Sequence, residues 1–436
     1  MKKYIALKRN DGLLKSAAAG RGAGVGKRAG AGRGAGCVLC FLLLLVGDYA
    51  RSCSMFKITF GGKTMVGNNE DAWRENSRIW FEVGRGGHYG AAYVGHDDGF
   101  PQGGMNEAGL AYDGFSVYGR VLKPVAGKER LGGQFGDKVG FLTSIMQQCG
   151  TVEEVQRFVN RYDRRVFNHG MLLFIDRKGD YLVVEVDTTI LGHDAKYVLA
   201  NFCPSLTPDP STVTMGRYRR GVAFLSGKQD SSLRFCTAMM DTMHECRPRL
   251  GDGTTYTSIY DLSAGLIYLY FYHDYTHCVS FDLRRELAKG DHSLLMLSLF
   301  PPNEEYERFV RHKTPFNSHL LVGLMLGLGG FLLVSVVWLL VFWVKALLRP
   351  DAGGWRRFWL PGLVLVDLGL MYYLVNLLTD KTYYYFGQPG YFPAGVLALF
   401  VAGLVFVRRL RPLYVAHLVC FGVLVGLFAY WGFYSG

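Results

Sequence analysis

The sequence predicts an α+β domain followed by an all-α, four-helix transmembrane region. Three observations carry that prediction. Strand-like stretches come first, then a block of helices, then strands again, the order expected of antiparallel sheets covered by helices. Four apolar segments, 320–344, 358–378, 391–407 and 413–433, crowd the C-terminus, each about long enough to span a bilayer. Near the other end, the run 37–47 is apolar but too short to span, which takes about 20 residues; it has the length of a signal-peptide core.

The domain elements follow in order. Residues 54–60 and 63–66 alternate in character and flank Gly61-Gly62, a hairpin signal. Further strands are expected at 79–83, 91–94 and 110–116. Two helices come next, the second opening on the capping-box pattern Thr151-Val152-Glu153-Glu154. Residues 171–175 and 181–186 form another hairpin, and 197–201 reads as a strand ending. Helices near 215–226 and 231–245 precede a closing meander at 255–260, 266–272 and 277–283. This organisation gives a basic Gly/Ala/Arg-rich segment at 1–36, a signal peptide at 37–52, a folded domain at 53–290, a connector at 291–319 and the four spans.

The chain of 436 residues is 50% hydrophobic, with mean hydropathy +0.12 and the excess in the C-terminal tail. Its formal charge of +12 lies mostly in 1–36 and in the tail loops, not interleaved with aromatics on a folded face. Targeting and membrane topology account for that charge, and no nucleic-acid partner is expected. Lys345, Arg349, Arg356 and Arg357 follow the first span, and Arg408, Arg409 and Arg411 follow the third. Positive-inside logic places those loops in the cytoplasm and the folded domain outside a cell membrane. Of nine cysteines, Cys149, Cys203, Cys236, Cys246 and Cys278 fall in the domain; the odd number leaves one unpaired in any disulfide scheme. No cysteine pair there has metal spacing, and His88, His96, His169 and His193 share none, so no metal or cofactor is expected.

Ala50 and Ser52 supply the small residues that a signal peptidase reads, and cleavage after Ser52 makes Cys53 the first residue. A terminal cysteine carries a thiol and a free α-amine together. That amine titrates near pH 8, roughly 2 units below a lysine, and serves as a base at neutral pH. Amide hydrolysis needs a nucleophile, a base and donors for the oxyanion, and Cys53 supplies the first two.

Cys53-Ser54 opening a hairpin, then Gly67-Asn68-Asn69-Glu70-Asp71, then Gly104-Met105-Asn106-Glu107-Ala108-Gly109-Leu110, resembles the choloylglycine hydrolase and penicillin V acylase superfamily. The strands around His169-Gly170-Met171 and Val184-Glu185, and the stretch 255–262, resemble the family's later strands. The resemblance covers about 53–290. It implies an αββα N-terminal-nucleophile hydrolase sandwich that cleaves linear, non-peptide amides. It makes Cys53 the nucleophile and base, Asp71 the carboxylate orienting the amine, and Asn106 and Asn201 the oxyanion-hole asparagines. Arg234 is set against the family's distal arginine. The family often carries an arginine beside the thiol where this chain has Asn68; Arg74 or Arg234 is expected to replace its charge, with Asn68 and Arg74 lining the substrate site. The expected partners are a small N-acyl amide, including one derived from a lipid, and the bilayer. Transfer of the acyl group to an amine, or a silent binding domain, are the alternatives. Asp71 as a turn cap, and Asn106 and Asn201 as turn and strand-end residues, are the readings without catalysis.

Overall fold

The computed structural model describes residues 52–71, 76–117, 137–247, 252–348, 355–379 and 411–433, with scattered residues in 119–131 and 384–399. The basic segment, the signal peptide up to Arg51, Arg74 and most of the third expected span lie outside the described residues.

The strands in chain order are β1 (Ser52–Phe60), β2 (Lys63–Asp71), β3 (Arg78–Glu82), β4 (Ala91–Gly95), β5 (Pro101–Asn106), β6 (Ala111–Ser116), β7 (Glu129–Arg130), β8 (Tyr162–Asp163) and β9 (Gly170–Ile175). They continue with β10 (Tyr181–Val184), β11 (Thr189–Gly192), β12 (Lys196–Ala200), β13 (Cys246–Arg247), β14 (Asp252–Gly253), β15 (Tyr256–Asp261), β16 (Leu266–Phe271), β17 (Asp274–Asp282) and β18 (His292–Leu295). Two large antiparallel sheets result. The first runs β12-β1-β2-β15-β16-β17, the second β11-β10-β9-β6-β5-β4-β3-β18. The last strand of the second sheet lies within the segment expected as a connector.

The β1–β2 hairpin turns at Gly61 and Gly62, whose φ angles of 61° and 76° suit a two-residue turn that L side chains adopt poorly. The second strand of this hairpin is longer than its pattern predicts. Residues 67–71 read as turn-rich, yet β1 pairs on one side and β15 on the other, and that double ladder overrides local preference. β5 was hidden for a similar reason. Its Gly103 and Gly104 look like a turn, but an added Cβ would sit 2.4 Å from the Asp113 carboxylate and 2.5 Å from the Ala92 carbonyl, so close strand approach is what demands glycine.

Helices cover the outer face of each sheet. Helices α1 (Lys138–Gln148) and α2 (Val152–Val159) place Phe141, Ile145, Val155 and Phe158 against Tyr93, Tyr112 and Phe174 of the second sheet. Helices α3 (Gly216–Leu225) and α4 (Leu233–Met243) place Tyr218, Met239 and Met240 against Phe56, Ile58 and Ile259 of the first. The alternation of strand side chains then turns the other faces toward each other, with β1 and β6 in contact. Two short helices follow, α5 (Leu283–Leu287) and α6 (Glu304–Arg311).

The tail contains α7 (His319–Leu348), α8 (Trp355–Thr379) and α9 (Arg411–Tyr430). Two of these, His319–Leu348 with mean hydropathy 2.5 and Leu360–Thr379 with 1.7, are long and apolar enough to cross a membrane; the apolar stretch Val415–Tyr430 is shorter. Leu333, Val334, Val337 and Val341 of α7 stand exposed. Between the helices, Asp367 accepts from Ser335 Oγ at 2.7 Å and contacts His417 Nε2 at 3.0 Å, so these three polar side chains satisfy one another.

Thr151 and Glu154 close the expected capping box on α2, each bonding the other's backbone N–H. Thr151→Ala should cost about 1 kcal/mol of stability, seen as a lower thermal midpoint; an unchanged midpoint would show that packing alone holds this end.

Candidate active site

Antiparallel pairing of β1 and β2 brings the hairpin's two ends together. Cys53 lies opposite Glu70, and Ser52 opposite Asp71. Cys53 is half-buried; Glu70 and Asp71 are buried. The Cys53 thiol donates to Glu70 Oε2 at 3.6 Å. The Cys53 backbone N–H donates to Asn201 Oδ1 at 2.6 Å, across the pairing of β1 with β12. That same oxygen accepts from Arg217 Nη2 at 2.8 Å, and Asn201 Nδ2 donates to the Ser116 carbonyl at 2.8 Å. Asn201 therefore joins the cysteine, a buried arginine and the second sheet.

Asp71 Oδ1 accepts from Thr254 Oγ1 at 2.5 Å, while Oδ2 is buried with no hydrogen-bond partner. Burial pushes the Asp71 carboxyl well above the usual carboxylate range; Arg217 and the Thr254 hydroxyl oppose the shift. Burial also pushes the Cys53 thiol well above its ordinary value, and the carboxylates of Glu70, Asp71 and Asp113 push the same way. With the Ser52–Cys53 peptide intact, the thiol is thus held protonated.

A polar layer lies behind the thiol, between the sheets. His96 Nε2 is 3.9 Å from Glu70 Oε1, and its Nδ1 is 3.4 Å from Ser77 Oγ. Burial, with Glu70 next, raises the Asp113 carboxyl; the Gly114 N–H and the Asn68 amide that faces it favour the charged form. Asn68 is fully buried, and neither of its side-chain polar atoms closes to hydrogen-bond distance. Among the described residues, the thiol faces acids where the sequence leads one to expect a guanidinium.

Asn106 and Arg234, also expected at the site, have other surroundings. Asn106 donates through Nδ2 to the Met146 and Cys149 carbonyls at 2.7 and 2.8 Å, and its Oδ1 accepts from Leu110 N–H at 3.0 Å. Its amide is spent on tying the β5–β6 turn to the end of α1, which leaves no donor for an oxyanion. Arg234 stands exposed on α4. The buried cation is Arg217. Its helix buries Arg217, Gly221 and Leu225, a stripe spaced by four residues that reaches back to the arginine. That spacing was the available signal. Among the described cysteines, Cys149, Cys203, Cys236, Cys246 and Cys278 form no disulfide.

Family models match no part of the sequence, and no curated protein matches it. Among solved structures, the chain is similar to a variant of conjugated bile acid hydrolase from Clostridium perfringens, at 18% identity and TM-score 0.44 over 58% of this chain and 98% of that one. It is similar to penicillin V acylase from Agrobacterium tumefaciens, at 16% identity and TM-score 0.39 over 50% and 83%. It is also similar to the Caenorhabditis elegans ortholog of N-acylethanolamine-hydrolyzing acid amidase, at 11% identity and TM-score 0.33 over 48% and 93%.

The raised Asp71 carboxyl has a sign that can be tested. A folded-state value above the unfolded one contributes stability below the ordinary carboxylate range and loses it as pH rises through the raised value. In the chain with its Ser52–Cys53 bond intact, Asp71→Asn should therefore melt above the wild type at about pH 8, and the gap should shrink toward about pH 4. A gap independent of pH, or a variant that melts lower at the higher pH, would contradict it.

Proposed function

We propose that the chain is an N-terminal-nucleophile hydrolase that cleaves linear, non-peptide N-acyl amides through an acyl-cysteine at Cys53. The observation that carries this reading is the convergence on one residue. The Cys53 nitrogen is held by Asn201, its thiol faces the space between the sheets, and a buried Asp71 oxygen stands without a partner at the rung where Ser52 would be removed.

Cleavage after Ser52 changes the electrostatics. The amide nitrogen becomes an amine that ionises near pH 8. As an ammonium it supplies a positive charge beside Asp71 and beside a thiol otherwise faced by carboxylates, which lowers the cost of the thiolate. It thereby does what a guanidinium at Asn68 would have done.

The amine takes the proton from Sγ, and the thiolate attacks the amide carbonyl carbon. The oxyanion that forms needs a neutral donor; Asn201 Nδ2 gives one N–H to the Ser116 carbonyl and has a second to offer. Removing such a donor typically costs about 3–4 kcal/mol of transition-state stabilisation. The ammonium returns its proton to the departing amine nitrogen as the C–N bond breaks. Water, deprotonated by the same amine, then attacks the thioester and releases the acid. Arg217 and Thr254 are positioning residues, the first through Asn201 and the second through Asp71.

The apolar helices α7 and α8, with α9 and the segment 391–407 completing four spans, anchor the enzyme in the cell membrane. Apolar side chains exposed along α7 support that placement, since a core helix would bury them. The distribution of Lys and Arg supports an extracytoplasmic hydrolase domain. Proximity to lipid makes an amide derived from a lipid the leading substrate.

The test is product analysis with the processed protein on a panel of N-acyl amides. Free acid and amine in water, lost by at least about 1000-fold in Cys53→Ala, are the expected result. Acyl transfer to an added amine in preference to water would mark an acyltransferase. The buried acids around Asn68 favour a silent domain; failure of an electrophilic thiol probe to label Cys53 in the processed chain would establish that reading and end this one.

A further inference from the structure

We infer that Cys246, His273 and Glu305 form a binding site for a divalent transition metal of the zinc class. One ligand atom from each lies within 4.8 Å of the others. The three come from separate elements, β13, the turn between β16 and β17, and α6. A thiolate, an imidazole and a carboxylate are donors that zinc accepts with water as a fourth ligand, whereas magnesium and calcium prefer oxygen alone.

The imidazole of that cluster is fixed in place. The His273 side chain is only 5% exposed, and its Nε2 has no hydrogen-bond partner. Its Nδ1 lies 3.0 Å from Glu305 Oε2 and is the nitrogen that faces an ion shared with that carboxylate. The orphaned nitrogen is aimed at the Cys246–Gly253 rung: a Cβ added at Gly253 would sit 2.4 Å from Nε2 and 2.8 Å from the Cys246 Cα. Glycine at 253 keeps the space that the ring enters. The backbone is committed to this arrangement, because Tyr272 and His273 adopt φ of 49° and 62° in a turn that glycine or asparagine would fill at less cost. Metal binding at the thiol releases its proton to solvent, and the imidazole coordinates as the neutral ring.

The site adjoins the catalytic carboxylate without being part of it. The Thr254 N–H donates to the Glu245 carbonyl at 2.8 Å, and Glu245 N–H donates to Thr254 Oγ1 at 3.1 Å, the hydroxyl that holds Asp71. A metal bound at Cys246 braces the strand pair from which Thr254 departs. The inference stands independently of the proposed hydrolase activity, because its readout is metal.

The experiment uses the full chain in detergent, stripped with chelator, reloaded with zinc or cobalt and dialysed. About one equivalent of zinc per chain is expected, with a thiolate-to-cobalt charge-transfer band in the cobalt form. Cys246→Ser should remove the band and His273→Ala the bound zinc. Glu305→Gln, at a half-exposed position, replaces a carboxylate ligand by a neutral amide and should weaken zinc binding by at least about 10-fold. Wild type that retains no more zinc than the Cys246→Ser/His273→Ala double variant, a cobalt band that survives Cys246→Ser, or zinc affinity unaltered in Glu305→Gln would overturn the assignment.

Discussion

The register of β1 against β2 is the constraint on which the rest of the site depends. It sets Cys53 across from Glu70 and Ser52 across from Asp71. A slip of one residue would carry the thiol from the space between the sheets to the helix-covered face. Three features oppose such a slip. Gly61 and Gly62 fix the turn, β12 and β15 pair on the two outer edges of the hairpin, and Gly67 lets Phe56 and Met240 close over it. The candidate site is therefore anchored by backbone hydrogen bonds along two whole strands, while its side chains need only short reaches.

Electrostatics make this an unusual setting for a thiolate. Desolvation and three neighbouring carboxylates all favour the protonated thiol. Such a cluster of acids costs free energy unless something cationic enters it. Arg217 is one cation, reaching Asn201 and opposing Asp71. The proposed second is the α-ammonium that processing creates. On this account the unprocessed chain is kept inert by the same groups that later orient the amine, so activation and proteolysis are one event.

Much of the fold was legible because its signals were local. The Gly61-Gly62 hairpin, the Thr151 capping box and the helical blocks over α3 and α4 each follow from short-range pattern. β5 and the far half of β2 were not, since glycines and asparagines there answer to neighbouring strands distant in sequence. The site divides in the same way. The hairpin put Cys53 beside the Glu70–Asp71 end on local grounds, and Asn201 arrived by ending a strand that pairs with β1. The motif around Asn106 marks a turn, and its amide bonds within that turn and to the end of α1, which spacing alone does not reveal. Arg217 went unseen among Arg219 and Arg220 because composition does not say which of three arginines faces inward; helical spacing from Leu225 does. The cluster at Cys246, His273 and Glu305 has no sequence spacing to reveal it, since three separate elements supply it.

The central claim is that the working molecule begins at Cys53. Intact-mass and N-terminal analysis of protein purified in an active state tests it most directly. The account predicts a chain that has lost residues 1–52 and carries a free α-amine on Cys53. Active protein whose Ser52–Cys53 bond is unbroken would contradict it, because the thiol would then have no amine to take its proton.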